Sequence, residues 1–481
     1  MLSNSIVTLT RTTMKIVQYL MLAVMVTILT ACGGGGSASP QSVSVSNPSV
    51  PPSTPTPKGW VETDSTQLAY NGTYFGRAVI GNADGSTTLA FGGPEYANIA
   101  GTWTCNPTEF KAVKISGDGK LSDDSTRLNP GHMKAIHSAK AIVADFNGDG
   151  VDDVYFGNSG CDNPNIAGYG KGEHSTLFIS SPNGYVDGSA ALPPLTGVVH
   201  SLASADITKS GKKSLIIGIL GAQITNPDPG APYDNGPNTS FGAIGPYVLK
   251  SNGNGTFQYQ NDKLDARISN YMNAVGDATP SKFTDVALAD MNGDGYPDLI
   301  VGADQSSQAA GAVYLNDGAG GFQTTPIILP TGSFGSKNTI TLGIKVMDVD
   351  GDGKPDLILE QTSQAPYYTQ SRLQVLKNAG SSFTDITSSV IPNQHTNNSW
   401  AQYLHLVDLN GDGKLDLLLE ASDAKSDDVI AYSFNGNTFE PMTSNLPATQ
   451  VSLTPVKNRL VSVQANPDTG LTTIKVYQYF P

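Results

Sequence analysis

Four short stretches concentrate the chemistry of this sequence. They read Asp145-Phe-Asn147-Gly-Asp149-Gly-Val151-Asp-Asp153, Asp290-Met-Asn292-Gly-Asp294-Gly-Tyr296-Pro-Asp298, Asp348-Val-Asp350-Gly-Asp352-Gly-Lys354-Pro-Asp356 and Asp408-Leu-Asn410-Gly-Asp412-Gly-Lys414-Leu-Asp416. Each sets Asp or Asn at its first, third, fifth and ninth places and Gly at its fourth and sixth. Calcium is a hard cation that takes about six to eight oxygen ligands at roughly 2.3–2.6 Å, and alternating carboxylates and amides along a tight loop supply them. The side chains at places one, three, five and nine are the expected ligands. The backbone carbonyls of Val151, Tyr296, Lys354 and Lys414 add one each, and the glycines permit the turn that folds the loop round the ion. About four structural calcium ions are therefore expected.

Charge supports this reading. The chain carries a formal −14, and 14 of its 42 acidic residues fall inside those four windows. Asp and Gly also favour plain turns, but a turn needs one or two such residues, whereas three or four packed carboxylates repel unless something positive neutralises them. With only 28 Lys and Arg the chain lacks the basic surface that nucleic acid requires. EF-hand loops start in the same way but need Glu at place twelve between helices. Here that place holds Phe156, Val301, Leu359 and Leu419, each in an apolar strand-like run.

The elements that carry the loops repeat. In the clearest copy, Val286-Ala-Leu-Ala-Asp290 leads into the loop, Asp298-Leu-Ile-Val-Gly302 leaves it, and Gly311-Ala-Val-Tyr-Leu-Asn316 and Gly320-Gly-Phe322 follow. Strands are predicted over Thr284–Ala289, Leu299–Gly302 and Ala312–Leu315, with a fourth beginning at Phe322. Three worn copies align on the second strand: Asn82-Ala-Asp84-Gly into Leu89-Ala-Phe-Gly92, Asp206 to Ser214-Leu-Ile-Ile-Gly218, and Lys457-Asn-Arg-Leu460-Val-Ser-Val463. Seven units centred near 80, 145, 206, 290, 348, 408 and 451 give a period near 60, that of a four-stranded propeller blade. The fold class is therefore all-β, a seven-bladed propeller of antiparallel blades spanning 59–481.

This combination of Asp loop, following Asp-Leu-Ile-Val-Gly strand and downstream Gly-Ala-Val-Tyr resembles the FG-GAP and VCBS repeats, the family that includes the propeller of integrin α subunits. The resemblance covers roughly 70–480 and implies adhesion or recognition. Metal binding is not carried over to the three worn units, which lack the loop residues.

If the Asp loops join first and second strands, the loops joining second and third strands emerge from the other rim. They span roughly 93–109, 158–174, 219–246, 303–310, 361–371 and 421–428, vary widely, and include an excursion with Tyr233 and Phe241. Variable loops on a rigid scaffold are where binding concentrates. Cys105 and Cys161 lie in this set, in adjacent blades, and a disulfide between them is expected, with two free thiols as the alternative. Apolar residues at Leu264, Ile268, Tyr271, Met272 and Val275 predict a small helix over 262–275.

At the N-terminus, Met14-Lys15 and the apolar run from Ile16 to Thr30 read as an export signal, too short for the roughly 20 residues of a bilayer span. Leu29-Thr-Ala-Cys32 resembles the lipobox of bacterial lipoproteins, which implies a diacylated Cys32 as mature N-terminus and membrane contact through that anchor alone. Gly33 after the cysteine favours the outer membrane by the same resemblance. Residues 1–31 are then a signal peptide, with a start at Met14 left open. The Gly/Ser/Pro/Val stretch 32–58 is a tether without the periodicity to bury a core.

Catalysis leaves no local signature. The six histidines, at 132, 137, 174, 200, 395 and 405, form no metal-ligand spacing, and neither a Gly-x-Ser-x-Gly elbow nor a phosphate loop is present. No catalytic residue is assigned, and an enzyme is the lesser reading. The leading expectation is a calcium-binding, lipid-anchored cell-envelope module for a protein or glycan. The alternatives are a polysaccharide-acting enzyme and a structural subunit of an envelope complex.

Overall fold

The structure is a computed structural model that describes residues 58–69, 76–93, 97–99, 102–161, 173–193, 196–223, 242–259, 283–303, 311–420, 428–442, 446–447, 453–466 and 469–480. The expected signal, Cys32, Tyr233, Phe241 and the expected helix over 262–275 lie outside them. Beside two two-stranded ribbons, the unit Pro57–Pro481 is built, among the described residues, from seven larger sheets. Each has four antiparallel strands, and the sheet of blade 3 gains a fifth of two residues.

Blade 1 runs Arg77–Gly81, Thr87–Phe91, Lys111–Ile115, Leu121–Asp123, and blade 2 runs Ser138–Ala144, Asp153–Asn158, Thr176–Ser181, Gly184–Asp187. Blade 3 is Thr196–Ala205, Ser214–Gln223, Gly242–Ser251, Phe257–Tyr259, with Glu173–His174 added at its edge. Blade 4 is Phe283–Ala289, Asp298–Ala303, Ala312–Tyr314, Ile327–Ile328, and blade 5 is Thr339–Met347, Asp356–Ser363, Ser371–Asn378, Phe383–Asp385. Blade 6 is Tyr403–Val407, Asp416–Glu420, Ala431–Phe434, Phe439–Pro441.

Blade 7 closes the ring with both ends of this unit. Leu453–Val456, Arg459–Asn466 and Leu471–Phe480 are its first three strands, and Gly59–Ala69 pairs with the third, from Gly59 opposite Phe480 to Ala69 opposite Leu471. Trp60 is pinned there: its Nε1 donates to the Leu409 carbonyl at 3.0 Å and its ring lies 5.6 Å from that of Tyr479.

Second strands show why the blades must stack. Successive side chains of a strand point to opposite faces, and in blade 4 Leu299 and Val301 enter the core shared with blade 3 while Ile300 enters the core shared with blade 5. Leu357 and Leu359 against Ile358 do the same in blade 5, and Leu417 and Leu419 against Leu418 in blade 6. An apolar run with no polar alternation is the mark of a strand covered on both faces. Seven core clusters, one between each neighbouring pair including blades 7 and 1, complete the ring.

The first three strands of blade 4 end within a residue of their predicted bounds, but the fourth begins later. Phe322 makes only an isolated bridge with Asn316, and the fourth strand of blade 4 is Ile327–Ile328. Pro326 has no N–H to give the ladder, so regular pairing resumes only after it.

Candidate functional site

All four Asp loops join a first strand to a second, and they share one hydrogen-bond pattern. The place-one aspartates, Asp145, Asp290, Asp348 and Asp408, accept through Oδ1 from the amide of the first loop glycine and through Oδ2 from that of the second, at 2.6–2.9 Å. Those glycines, Gly148 and Gly150 in blade 2 and their counterparts in the other three loops, all have φ between 73° and 84°, a region that L side chains enter only under strain. At place three, Asn147, Asn292, Asp350 and Asn410 accept from the place-five amide at 2.9–3.2 Å. At place five, Asp149, Asp294, Asp352 and Asp412 accept from the amides of Val151, Tyr296, Lys354 and Lys414 at 2.8–2.9 Å.

Place nine has a second task. Asp153, Asp298, Asp356 and Asp416 are fully buried. Each accepts through Oδ2 from the place-two amide of its own loop, and through Oδ1 from a third-strand amide: Ser180, Asn316, Asn378 and Phe434, at 2.7–2.8 Å. These carboxylates pin loop to sheet. Burial raises their pKa above the usual carboxylate range, against those hydrogen bonds.

The donor set fits a hard cation. A carboxylate oxygen has two lone pairs, so one accepted N–H leaves capacity for a metal. In blade 5 one oxygen each of Asp348, Asp350 and Asp356 lie within 4.8 Å of one another. The fourth expected ligand, Asp352, is not in that group: Lys377 on the third strand contacts both Asp350 and Asp352, at 3.0 Å from the latter, and holds the Asp352 pKa below the ordinary value. A cation with all four side chains as ligands requires this half-buried lysine to swing aside. Blade 4 instead receives Lys209 of blade 3, whose Nζ donates to the Asp294 carbonyl at 3.0 Å and lies 3.7 Å from the Tyr296 ring centroid.

Worn loops keep the frame and lose the donors. Asp206 accepts from Thr208 and Ser210 at 3.0–3.1 Å and also from Gly211, but the ninth place is Ser214. Asp84 is taken by Lys114 and Ser86, and blade 7 turns directly at Lys457 and Asn458.

On the opposite rim, Cys105 and Cys161 are joined across blades 1 and 2, with Cα atoms 5.6 Å apart. The same rim carries an aromatic group in blade 5. Tyr367, 64% exposed, packs tilted against Tyr368 with ring centroids 4.3 Å apart, and Tyr368 meets Trp400 edge-on at 5.1 Å. The loop holding the tyrosines is fixed by Asn338, whose Oδ1 accepts from Ala365 at 2.6 Å, and by the Tyr368 amide donating to Ser363 at 3.0 Å.

A further set of charges, which no single segment of the sequence announces, lines the central channel. Second strands of blades 1 to 4 reach Gly92, Gly157, Gly218 and Gly302 at one register position, where blades 5 and 6 have Glu360 and Glu420. Added Cβ atoms on Gly92, Gly157 and Gly302 would come within 2.2–2.7 Å of the next blade's first-strand side chains, Ser138, Val199 and Thr341. Glu420 is in contact with Arg77 of blade 1 and with His405 Nε2 at 2.8 Å, while Arg77 also donates to Thr454 of blade 7 at 2.6 Å. Burial, with the nearby Lys345, Arg77 and Lys140, pushes His405 down to about 3, so the ring is neutral and donates to Glu420. The readable signal was the exchange of Gly for Glu in two of six comparable strands.

Residues 290–359 match the model of the FG-GAP-like repeat. The FG-GAP-like match runs from the Asp loop of blade 4 through that of blade 5 into the second strand of blade 5. No curated protein matches the chain. The FG-GAP-like repeat and the seven-bladed propeller together point in general terms to a binding module.

Proposed function

We propose that this chain is a calcium-binding, lipid-anchored cell-envelope module that presents the rim opposite its Asp loops to a glycan or protein partner. The observation that carries the reading is the Tyr367, Tyr368 and Trp400 group. An exposed Tyr367 backed by the half-buried Tyr368 and Trp400, with the tyrosines on a braced loop, offers apolar area at little cost in ordering. Such faces suit the C–H surface of a sugar ring, which favours a glycan.

Calcium enters as a structural ion. Asp145, Asn147, Asp149 and Asp153 with the Val151 carbonyl would hold it in blade 2, and the matching places in blades 4, 5 and 6 would do so there. It would neutralise carboxylates that the fold crowds together and stiffen each first hairpin. The Cys32 anchor and the 32–58 tether would hold the propeller at the envelope, with the outer membrane as the expected location.

The test is a glycan and cell-surface ligand array probed with the purified full-length protein in calcium and in chelator, alongside Tyr367→Ala and Trp400→Ala. Binding that falls at least tenfold in both variants supports the reading, whereas binding indifferent to both substitutions refutes the rim assignment. A melting temperature unchanged by chelator refutes the calcium role, and intact-mass data showing an unacylated Cys32 in the native envelope refute the anchor. Turnover of a defined polysaccharide would favour the enzyme alternative, and co-purification at fixed stoichiometry the structural one.

A further inference from the structure

The central channel contains a cavity of about 260 Å³. First strands of blades 2, 4, 5 and 6 supply its polar lining: Lys140, Asp285, Lys345 and Tyr403. The rest of the wall is aliphatic, with Leu202, Val286, Leu342, Ile344 and Leu404. Apolar walls with a few convergent polar groups are a feature of ligand sites.

The charges do not balance. Of the three cationic side chains gathered here, Arg77 is in contact with Glu420. Lys140 donates to the Gln402 carbonyl at 3.3 Å and lies 4.5 Å from the Tyr403 ring centroid, partners that carry no formal charge. Among the described residues neither Lys140 nor Lys345 has a carboxylate in ion-pair contact. Asp285 is the one carboxylate lining the cavity, and its Oδ2 accepts from the Ile344 amide at 3.0 Å. Glu360, fully buried nearby, has no well-formed hydrogen bond on either oxygen, and burial pushes its pKa well up. By formal charge, two lysines and one aspartate line the cavity, in a protein whose overall charge is strongly negative; burial pushes the Lys345 pKa down and the Asp285 pKa up.

We propose that this cavity binds a small organic carboxylate, its anionic group held by Lys140 and Lys345 and its body against the aliphatic wall. A single negative charge brings the lining to neutrality, which a dianion would overshoot. The aliphatic wall gives a purely inorganic anion nothing to cover. The site is separate from the rim, so its failure and the failure of the glycan reading are distinguishable.

The experiment is calorimetric titration of the full-length protein with benzoate and butyrate, set against the isosteric benzamide and butyramide and against phosphate and chloride. At least one carboxylate is expected to bind tenfold or more tightly than its amide, and Lys140→Met and Lys345→Met are each expected to weaken it at least tenfold. Hydrogen exchange on the unmodified protein provides a readout that needs no variant: the segments 138–144, 283–289 and 339–347 should gain protection with the carboxylate. Equal binding of acid and amide, displacement by phosphate or chloride at equal concentration, protection confined to the rim, or no binding by either carboxylate would each overturn the proposal.

Discussion

Replacing Arg77 with Met tests the buried ion pair that reaches from blade 1 past blade 7 to blade 6. Arg77 and Glu420 side chains are 7% and 2% exposed, so solvent cannot take over when one partner is lost. Removing one member of a buried pair typically costs about 3–5 kcal/mol, because the other charge stays behind without compensation. The unit spans Pro57–Pro481, and an unfolding entropy of about 2.1 cal/mol/K per residue gives roughly 0.9 kcal/mol per degree at the midpoint. Scanning calorimetry should therefore find the Arg77→Met midpoint about 3–6 °C lower. Adding Glu420→Gln removes the orphaned charge while leaving His405 a hydrogen-bond acceptor, and should recover more than half of the loss. In the single variant His405 also loses a repelling cation, so its pKa should rise from about 3 when followed by proton NMR. A midpoint shift below about 1 °C, or a double variant no better than the single, would refute the assignment.

Glu173 accepts from the Ile136 and His137 amides at 2.9–3.4 Å, and burial raises its pKa to about 7 from 4.5. Its folded pKa lies above its unfolded one, so its contribution to stability is greatest below pH 4.5 and falls as pH rises toward 7. Urea titration of Glu173→Gln should accordingly show a gain at pH 8 and almost none at pH 4, and equal effects at both would contradict the shift. Gly157→Ala sets a methyl within 2.4 Å of Val199, and overpacking of this kind should destabilise by about 1–3 kcal/mol in denaturant melts, with no change counting against the close approach. Reducing the Cys105–Cys161 bridge, which closes a loop of 56 residues, should lower stability by about 4 kcal/mol on the chain-entropy model, and a reduced melt matching the oxidised one would show the link contributes little.

The readable parts of this molecule were those with local, repeated signals. Asp290 to Asp298 and its three cognates announce the loop because donors and glycines sit within nine residues, and Leu299-Ile-Val announces a strand covered on both faces because nothing polar interrupts it. The second role of Asp153, Asp298, Asp356 and Asp416 was hidden, since their third-strand partners lie 18–27 residues further on. Lys377 was hidden likewise, 27 residues from Asp350. Channel charges were the least legible. Lys140, Asp285, Lys345 and His405 are single residues on four strands, and only closure of the ring makes them neighbours. The strand Gly59–Ala69 alternates weakly, and its partner comes some 400 residues later.

That last pairing sets the order of assembly. Contacts close in sequence form early and distant ones late, so hairpins and neighbouring blades can condense as the chain emerges while the Gly59–Ala69 strand waits for Leu471–Phe480. Until then the growing arc ends in bare strand edges, each a template for pairing with another chain. A polypeptide crossing a membrane from its N-terminus would pass through that vulnerable interval on the far side, which makes the seam a place where holding chaperones would have most to protect.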